Sequence, residues 1–434
     1  MRSPRLTGWW TALLVLAAVR VAIPIAAYAS SPDRLPGLPR FTRAPLDGGL
    51  TGDSTAFYAA SREFMAGWGR VPKPLLGLAV LALAAGGVLG VRAWRRHPER
   101  RAWIVAAAIW AAALVLCLDI HWLYANGAAG FGWPLLWGSV LLPYRVVATL
   151  GKHAAWNAAF GLSLAFVALT VVAVAYLGRY ASNRRSVGLL AAAFWAAWPL
   201  LVGAIAGHGA WTNSQWNVDV GLNAYDEPLS TLLVTGGAAL LLSPRLTDLR
   251  LVCGGCLLGL ATATKISNAL AATVALVVVA WRGGRRETLP YLAGALSFAP
   301  VALLYWPKSY PTLVAGNRST LRSTLGVGHV VSSWTDSSIF YPRTLAIVAP
   351  LAVVGAFWLL RPWAAGLVVA LLLANPVFYS FYKYTAEHPR FLYASLPELF
   401  VLWAAAVTGI VGAVRSRVPG AHAARAAPGT TART

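Results

Sequence analysis

The chain carries little charge, few acids and very little sulfur for its length. Only 12% of its 434 residues are charged. There are 14 Asp and Glu against 36 Lys and Arg, and there are three cysteines and two methionines. Soluble domains carry about 25% charged residues, so this composition excludes a soluble cytosolic enzyme and a disordered chain. Three cysteines also exclude a disulfide scaffold and a structural zinc module.

The chain is instead rich in long apolar runs. Hydrophobic residues make up 58% of it, and the mean hydropathy is +0.62. A membrane-spanning helix needs about 20 such residues, and reading for these runs predicts an all-α polytopic protein with about 12 spans, in a range of about 11–13. The predicted spans are 8–28, 75–92, 102–121, 158–177, 187–206, 228–243, 251–265, 267–281, 288–306, 344–360, 363–381 and 391–414.

Three of these apolar runs, and one further run at 133–150, need interpretation. The short pair 251–265 and 267–281 is either two thin spans or one broken element. The run 133–150 is interrupted by prolines near both ends, and we interpret it as a re-entrant or interfacial piece. The first run, within 1–29, resembles a signal peptide but is long for one, so we predict that it is retained as the first span.

The net charge of +22 would suggest a nucleic-acid partner in a soluble protein. With both termini cytoplasmic, however, the inner loops hold most of the Lys and Arg and only three acids, Glu99, Asp248 and Glu287. The clearest inner loop is 92–101. The charge is therefore mainly a positive-inside signal, and we expect a lipid bilayer and no nucleic acid as partner.

The outer loops are longer than simple connections require, which predicts that the chemistry is extracytoplasmic. The loops in question are 30–74, 121–157, 207–227 and 307–344. We expect one transmembrane domain over 1–414 and a disordered cytoplasmic tail over 415–434. The preference for Arg over Lys, with much Ala and Gly, is typical of a GC-rich bacterial genome, which places the chain in a bacterial plasma membrane.

The first outer loop contains an acid at the start of a predicted helix. Three glycines supply a turn before Asp53, and apolar residues follow at helical spacing as Phe57, Ala60 and Phe64. Asp53 is either the N-cap of that helix or a general base acting on an acceptor hydroxyl. Tyr58 lies in the same helix.

The third outer loop is dense in hydrogen-bonding groups and indole rings. His208, Trp211 and Asn213 suit sugar recognition, because indoles stack on pyranose rings while amides read hydroxyls. Asp226 and Glu227 then open a span. Acids at a helix N-terminus also interact favourably with the helix dipole, so a purely structural role is an equal alternative.

Several cationic side chains lie on the predicted outer face, where positive residues are disfavoured. The candidates among them for binding a phosphate are Lys152, Lys265, His388 and Arg390. Each either binds a phosphate or forms a salt bridge with an outer acid. Lys265 is placed at the end of a short span, and an ionisable residue at membrane depth indicates function.

Other polar residues within the apolar runs have simpler interpretations. Arg20 and Glu398 fall inside spans, and Glu398 is costly there unless it is protonated or paired, with Arg390 or Tyr393 as candidates. Cys253 and Cys256 are interpreted as small residues at a helix interface. Asp119 and His121 are two lone groups, which makes a metal site improbable.

In the order of these features the chain resembles the GT-C membrane glycosyltransferases, the superfamily of the protein O-mannosyltransferases and the aminoarabinose lipid A transferase. Four segments carry the resemblance, namely the acid and aromatics of 52–58, the acidic pair of 225–229, the Gly-rich run 259–265 and the His-Pro-Arg step of 388–397. Two details depart from the family pattern. The first loop reads Asp-Ser instead of Asp-Glu, and Lys265 stands where the family often has Arg.

The resemblance implies transfer of a hexosyl or pentosyl group from a polyprenyl-phosphate sugar to a hydroxyl of a glycan, lipid or protein acceptor. It implies that Asp53 is the catalytic base. It assigns the donor phosphate to Lys152, Lys265, His388 and Arg390, and the sugar or acceptor to Tyr58, His208, Trp211, Asn213, Asp226 and Glu227. No organic cofactor is implied, and Mg²⁺ or Mn²⁺ is compatible with such a site.

Three other classes share parts of this pattern. They are a secondary transporter or flippase of an envelope precursor, a polymerase or ligase of lipid-linked glycans, and a non-catalytic envelope scaffold. Transporters are usually built from repeats with a binding site at the bilayer midplane. The halves 1–206 and 207–414 show no such similarity and the polar residues concentrate in outer loops, which favours an extracytoplasmic active site.

Overall fold

A computed structural model describes residues 4–29, 53–122, 152–206, 226–309, 326–335, 342–358, 360–381 and 392–417. Within these ranges the chain forms fourteen α-helices and no β-strand. The helices are α1 Pro4–Ala29, α2 Asp53–Arg70, α3 Lys73–Arg96, α4 Arg101–Trp122, α5 Lys152–Ser182, α6 Arg185–Ala206, α7 Glu227–Leu241, α8 Asp248–Thr264, α9 Asn268–Ala295, α10 Ala299–Ser309, α11 Gly328–Thr335, α12 Pro342–Trp358, α13 Pro362–Ser380 and α14 Leu396–Arg417. Short 3₁₀ turns occupy Pro98–Arg100, Leu296–Phe298 and Leu392–Ser395.

The helices have the length and composition of a polytopic membrane protein. Among the described residues, seven helical stretches are long and apolar enough to cross a membrane, and three further apolar helices are shorter. A helix lies within each of the twelve segments that the sequence predicts as spans. The all-helical membrane class is therefore supported, whereas the number of spans stays a prediction. The run 133–150 and the tail from 418 onward lie outside the described residues.

The region around 251–306 forms separate helices that reverse direction. α8 ends at Thr264 and α9 begins at Asn268, so the short pair is two helices and not one broken element. α9 itself turns back at Gly284, whose φ of 55° and ψ of −149° are accessible mainly to glycine. The Tyr291 hydroxyl consequently donates to the Ala272 carbonyl at 2.7 Å across the fold.

Antiparallel packing gathers most of the described short connections at one end of the bundle, whereas 71–72 and 265–267 lie at the other end. The Arg361 amide donates to the Ala181 carbonyl at 3.2 Å, and the Arg282 guanidinium lies 4.3 Å from the centre of the Trp363 ring. Ala102, at the start of α4, packs with Val252, near the start of α8. We call this the short-connection end. The segments outside the described ranges that join α1 to α2, α4 to α5 and α6 to α7 leave from the opposite, long-connection end.

Arginine is concentrated at the short-connection end. The described arginines of this end are Arg92, Arg95, Arg96, Arg100, Arg101, Arg179, Arg184, Arg185, Arg245, Arg250, Arg282, Arg285, Arg286, Arg361 and Arg415. By the positive-inside rule this end is the cytoplasmic one, and the sidedness itself remains a prediction.

Cysteine labelling tests this sidedness. In a background lacking the three native cysteines, we expect a membrane-impermeant maleimide to label an Asn217→Cys variant in intact cells. His97→Cys, between α3 and α4, should react only after permeabilisation. Labelling in the reverse order would invert the topology.

Glycines of α8 allow two neighbouring helices to approach closely. A Cβ at Gly255 or Gly259 would overlap the backbone of Tyr291 or Ala295, and one at Gly237 of α7 would meet Leu258. Small residues at such interfaces let backbones meet without a side chain between them. α7, α8 and α9 thus pack as one tight unit, with the N-terminus of α7 beside the C-terminus of α8.

A Gly259→Ala substitution should therefore weaken the fold. The added methyl would push α8 away from Ala295, and overpacking of this kind costs about 1–3 kcal/mol. Gly86→Ala is the matched control, because α3 buries none of its residues and Gly86 has open space around it. Thermal unfolding in detergent should show a lower midpoint for the first variant and an equal or higher one for the second. Equal midpoints would contradict the close-packing argument.

Candidate functional site

Two carboxylates and one ammonium meet at the long-connection end. Lys265 Nζ donates to Glu227 Oε1 at 2.7 Å and lies 3.8 Å from Asp226 Oδ1. Glu227 is 1% exposed and Asp226 is 7% exposed. We call Asp226, Glu227 and Lys265 the ion triad. These are the residues of the predicted site whose side chains the structure describes, and it brings all three together.

Local sequence places the ion triad at two adjoining helix ends. Pro228 lies in the first turn of α7, where its missing N–H is not needed. Asp226 precedes that turn, yet its side chain makes no capping hydrogen bond. Lys265 ends α8, and its amide donates to the Ala261 carbonyl at 2.9 Å. The acids therefore face the positive end of α7 and Lys265 the negative end of α8, as helix dipoles favour.

A polar cage surrounds the ion triad. Lys265 Nζ lies 5.8 Å from the centre of the Tyr379 ring, and the Tyr379 hydroxyl donates to Ser267 Oγ at 3.2 Å. Asn268 Nδ2 donates to Ser230 Oγ at 2.6 Å and to the Ala261 carbonyl at 3.0 Å. These bonds tie α7, α8, α9 and α13 around the charges. Sequence reasoning gave Tyr379 and Asn268 no role, since neither is charged and neither belongs to a recognisable motif.

The balance of charge within the ion triad restricts its ligands. With one ammonium and two carboxylates ionised, its formal charge is −1. A phosphate would have to displace Glu227 from Lys265, whereas a hydroxyl or a cation could be held by the carboxylates without breaking that pair. The geometry thus couples Lys265 to the acids more directly than to an anionic ligand.

A second buried cation lies in the same bundle. Arg20 of α1 is 1% exposed, and its Nη2 donates to the Tyr393 hydroxyl at 2.6 Å. Its guanidinium carbon lies 5.1 Å from the centre of the Trp195 ring. The turn Leu392–Ser395, which carries Tyr393, packs against α7, which begins at Glu227, so the two charged centres lie on adjoining elements. The charge of Arg20 inside an apolar run was visible in the sequence, but its partners were not.

Glu398 does not form the predicted pair with Tyr393. Its side chain is fully buried in the first turn of α14, and neither carboxylate oxygen has a hydrogen-bond partner among the described residues. The Tyr393 hydroxyl receives the Arg20 donor instead, because the turn Leu392–Ser395 directs it toward α1. The other candidate partner, Arg390, lies outside the described residues.

The helix predicted to begin at Asp53 is present as α2. It packs on α4, where a Cβ at Gly67 would overlap the Asp119 carboxylate. Phe64 and Met65 are buried beside Ile120 and residues of neighbouring helices. The C-terminal half of α2 is therefore fixed at the C-terminal end of α4, which lies at the long-connection end.

The side chains of the other predicted site residues lie outside the described part of the structure. Asp53, Tyr58 and Lys152 lie in described helices, but their side chains are outside the description. His208, Trp211, Asn213, His388 and Arg390 fall in segments outside the described residues. Where the chain is described, no group of three or more metal-ligating side chains occurs. Cys253 and Cys256 are free thiols on α8.

No protein-family model, curated protein or solved structure matches this chain.

The energetics of the ion triad can be tested by a double-mutant cycle. Lys265→Met would leave two buried carboxylates without their counter-charge, and breaking a buried pair in this way costs about 3–5 kcal/mol. Adding Glu227→Gln should recover part of that loss. The measurement is the thermal midpoint of each purified variant.

The exposed pair of Glu99 and Arg100, 3.8 Å apart, supplies the control cycle. Its variants Arg100→Met and Glu99→Gln should leave the midpoint nearly unchanged, because exposed pairs contribute little. Additive losses at Lys265 and Glu227 would show that their contact does not stabilise the fold.

Proposed function

We propose that the protein is a GT-C-like glycosyltransferase of the bacterial plasma membrane. It transfers a sugar from a polyprenyl-phosphate donor to an acceptor hydroxyl at the extracytoplasmic face. The observation that carries the proposal is the buried ion triad at the long-connection end of the bundle. The segments that bear His208, Trp211, Asn213, His388 and Arg390 connect to helices at that same end.

In this mechanism different side chains of the protein act as the base, bind the sugar and stabilise the leaving phosphate. Asp53 removes the proton from the acceptor hydroxyl as the anomeric carbon is attacked. Asp226 and Glu227 hold sugar hydroxyls, while Lys265 keeps the two acids fixed and ionised. The departing polyprenyl phosphate carries negative charge, which Lys152, His388 and Arg390 stabilise.

Partners follow from this reaction. The donor lies with its polyprenyl chain in the bilayer, and the acceptor is a glycan, a lipid or a protein. No nucleic acid takes part. The −1 charge of the ion triad is compatible with Mg²⁺ or Mn²⁺, and the proposed transfer does not depend on either.

A transporter or flippase of an envelope precursor is the second candidate. Buried ionisable residues within spans are typical of substrate and proton pathways. Arg20 and Glu398 are both buried in apolar helices, which is the specific observation in favour of this function.

Asp53→Asn tests the proposed reaction. Wild type should consume one member of a panel of polyprenyl-phosphate sugars and release polyprenyl phosphate. The variant should lose about 10² or more of that rate and still bind the donor, because the proton acceptor is gone while the binding groups remain.

The matched control is Asp248→Asn, an acid in the first turn of α8 at the short-connection end. It should retain the wild-type rate. Consumption of no donor by wild type, together with movement of a lipid-linked precursor across proteoliposomes, would favour the transporter. An active Asp53→Asn variant would place the base elsewhere.

A further inference from the structure

We infer that Arg20, Tyr393 and Trp195 form an anion site that binds the phosphate of a polyprenyl-phosphate lipid. The inference deepens the proposed function, on which its choice of ligand rests. It adds a residue of the first helix, to which the sequence alone assigned no role.

The Arg20 side chain is held in one position. Tyr393 accepts from Nη2, and Trp195 lies against the guanidinium. Trp195 is in turn fixed by its indole N–H, which donates to the Val167 carbonyl at 3.0 Å. The Trp195 and Tyr393 rings meet edge to face, with centres 5.3 Å apart. Three helices and the Leu392–Ser395 turn therefore preorganise this one cation.

This cation lacks a counter-ion within the described part of the chain. Arg20 forms no ion pair there, and its Nε and Nη1 atoms are buried without a hydrogen-bond acceptor. A guanidinium stays protonated in proteins, so Arg20 cannot remove its charge by losing a proton. Burying a charge without a partner is strongly unfavourable, and buried N–H groups are nearly always bonded. The unused donors therefore indicate an anionic ligand.

Phosphate is the anion that fits these donors and this position. Guanidinium groups bind phosphate oxygens with charge-assisted hydrogen bonds. Arg20 lies nine residues before the end of α1, which is about 14 Å of helix rise and so within the depth of a bilayer. On the same helix Leu14, Val15 and Val19 are exposed, as expected for a surface that faces lipid chains. An amphiphile with its phosphate at Arg20 would keep its hydrocarbon in that environment.

The neighbouring charges explain why this site would serve the reaction. The ion triad is formally negative and Arg20 is positive. The Tyr393 hydroxyl accepts from Arg20, and the turn that carries Tyr393 packs against α7, which begins at Glu227. A phosphate at Arg20 would place the sugar that it carries toward Asp226 and Glu227. The cation would then stabilise the charge that develops on the leaving phosphate.

Binding of undecaprenyl phosphate to the full-length protein in nanodiscs tests the site. Wild type should bind this lipid and should bind uncharged undecaprenol at least tenfold more weakly. Arg20→Gln should weaken binding of the phosphate lipid by about tenfold or more, and Tyr393→Phe should weaken it a few-fold. Arg179→Gln is the matched control, because the Arg179 guanidinium lies over the ring of Trp9, which is near the opposite end of α1 from Arg20. It should bind as wild type does.

Several outcomes would overturn the inference. Equal affinity of wild type and Arg20→Gln for undecaprenyl phosphate would do so, and so would equal affinity of wild type for the phosphate and the alcohol. Should Arg20→Gln fail to fold, Arg20→Lys and Tyr393→Phe carry the test, and wild-type affinity in both would be decisive against the site. Inorganic phosphate that binds through Arg20 as tightly as the lipid would overturn the lipid as its ligand.

The binding assay is independent of sugar transfer. Arg20-dependent binding of undecaprenyl phosphate without consumption of any sugar donor would leave the anion site standing and remove the glycosyltransferase function. Sugar transfer by the wild type, together with unchanged lipid binding in Arg20→Gln, would remove the anion site and leave the glycosyltransferase function standing.

Discussion

Two buried carboxylates at the end of an apolar bundle can remain charged only if a cation meets them at hydrogen-bond distance. Lys265 meets Glu227 in this way, at 2.7 Å, and this contact requires the N-terminus of α7 to lie beside the C-terminus of α8. The glycines at 237, 255 and 259 supply the close helix approach that makes this possible. The most polar group in the described core therefore depends on the positions where the chain has no side chain at all. Breaking the pair would leave an uncompensated charge in a region that excludes water.

Two neighbouring centres of opposite sign lie among the buried ionisable groups of the described structure, and Asp119 and Glu398 are buried outside both. The ion triad carries a formal charge of −1. Arg20 carries a charge of +1 and donates to the Tyr393 hydroxyl. Such an arrangement suits a reaction in which a neutral sugar hydroxyl group is recognised and a phosphate departs, because each centre complements one part of that ligand. Electrostatic preorganisation of this kind needs rigid supports. Here the supports are helix ends and the edge-to-face rings of Trp195 and Tyr393. These groups are already in place before a ligand binds.

The periphery of the bundle has a different character. α3 buries none of its residues and packs along α4, so its apolar side chains are exposed, as expected of a surface that faces lipid. α2, by contrast, is a largely polar helix that rests on the end of α4 through Gly67 and Phe64. α2 is thus anchored by its C-terminal half at the C-terminal end of α4.

Local patterns in the sequence determined where most helices lie, that a helix starts at Asp53, and that Asp226, Glu227 and Lys265 belong to one end of the molecule. Hydropathy and helix-end signals act over neighbouring residues, so they can be read without the fold. The pairing of residues that are far apart in the sequence cannot be read in this way. Arg20 and Tyr393 are 373 residues apart, and Tyr379 and Ser267 are 112 apart. No local pattern distinguishes Tyr393 bonded to Arg20 from Tyr393 bonded to Glu398, because which polar group a buried residue meets depends on how the helices pack.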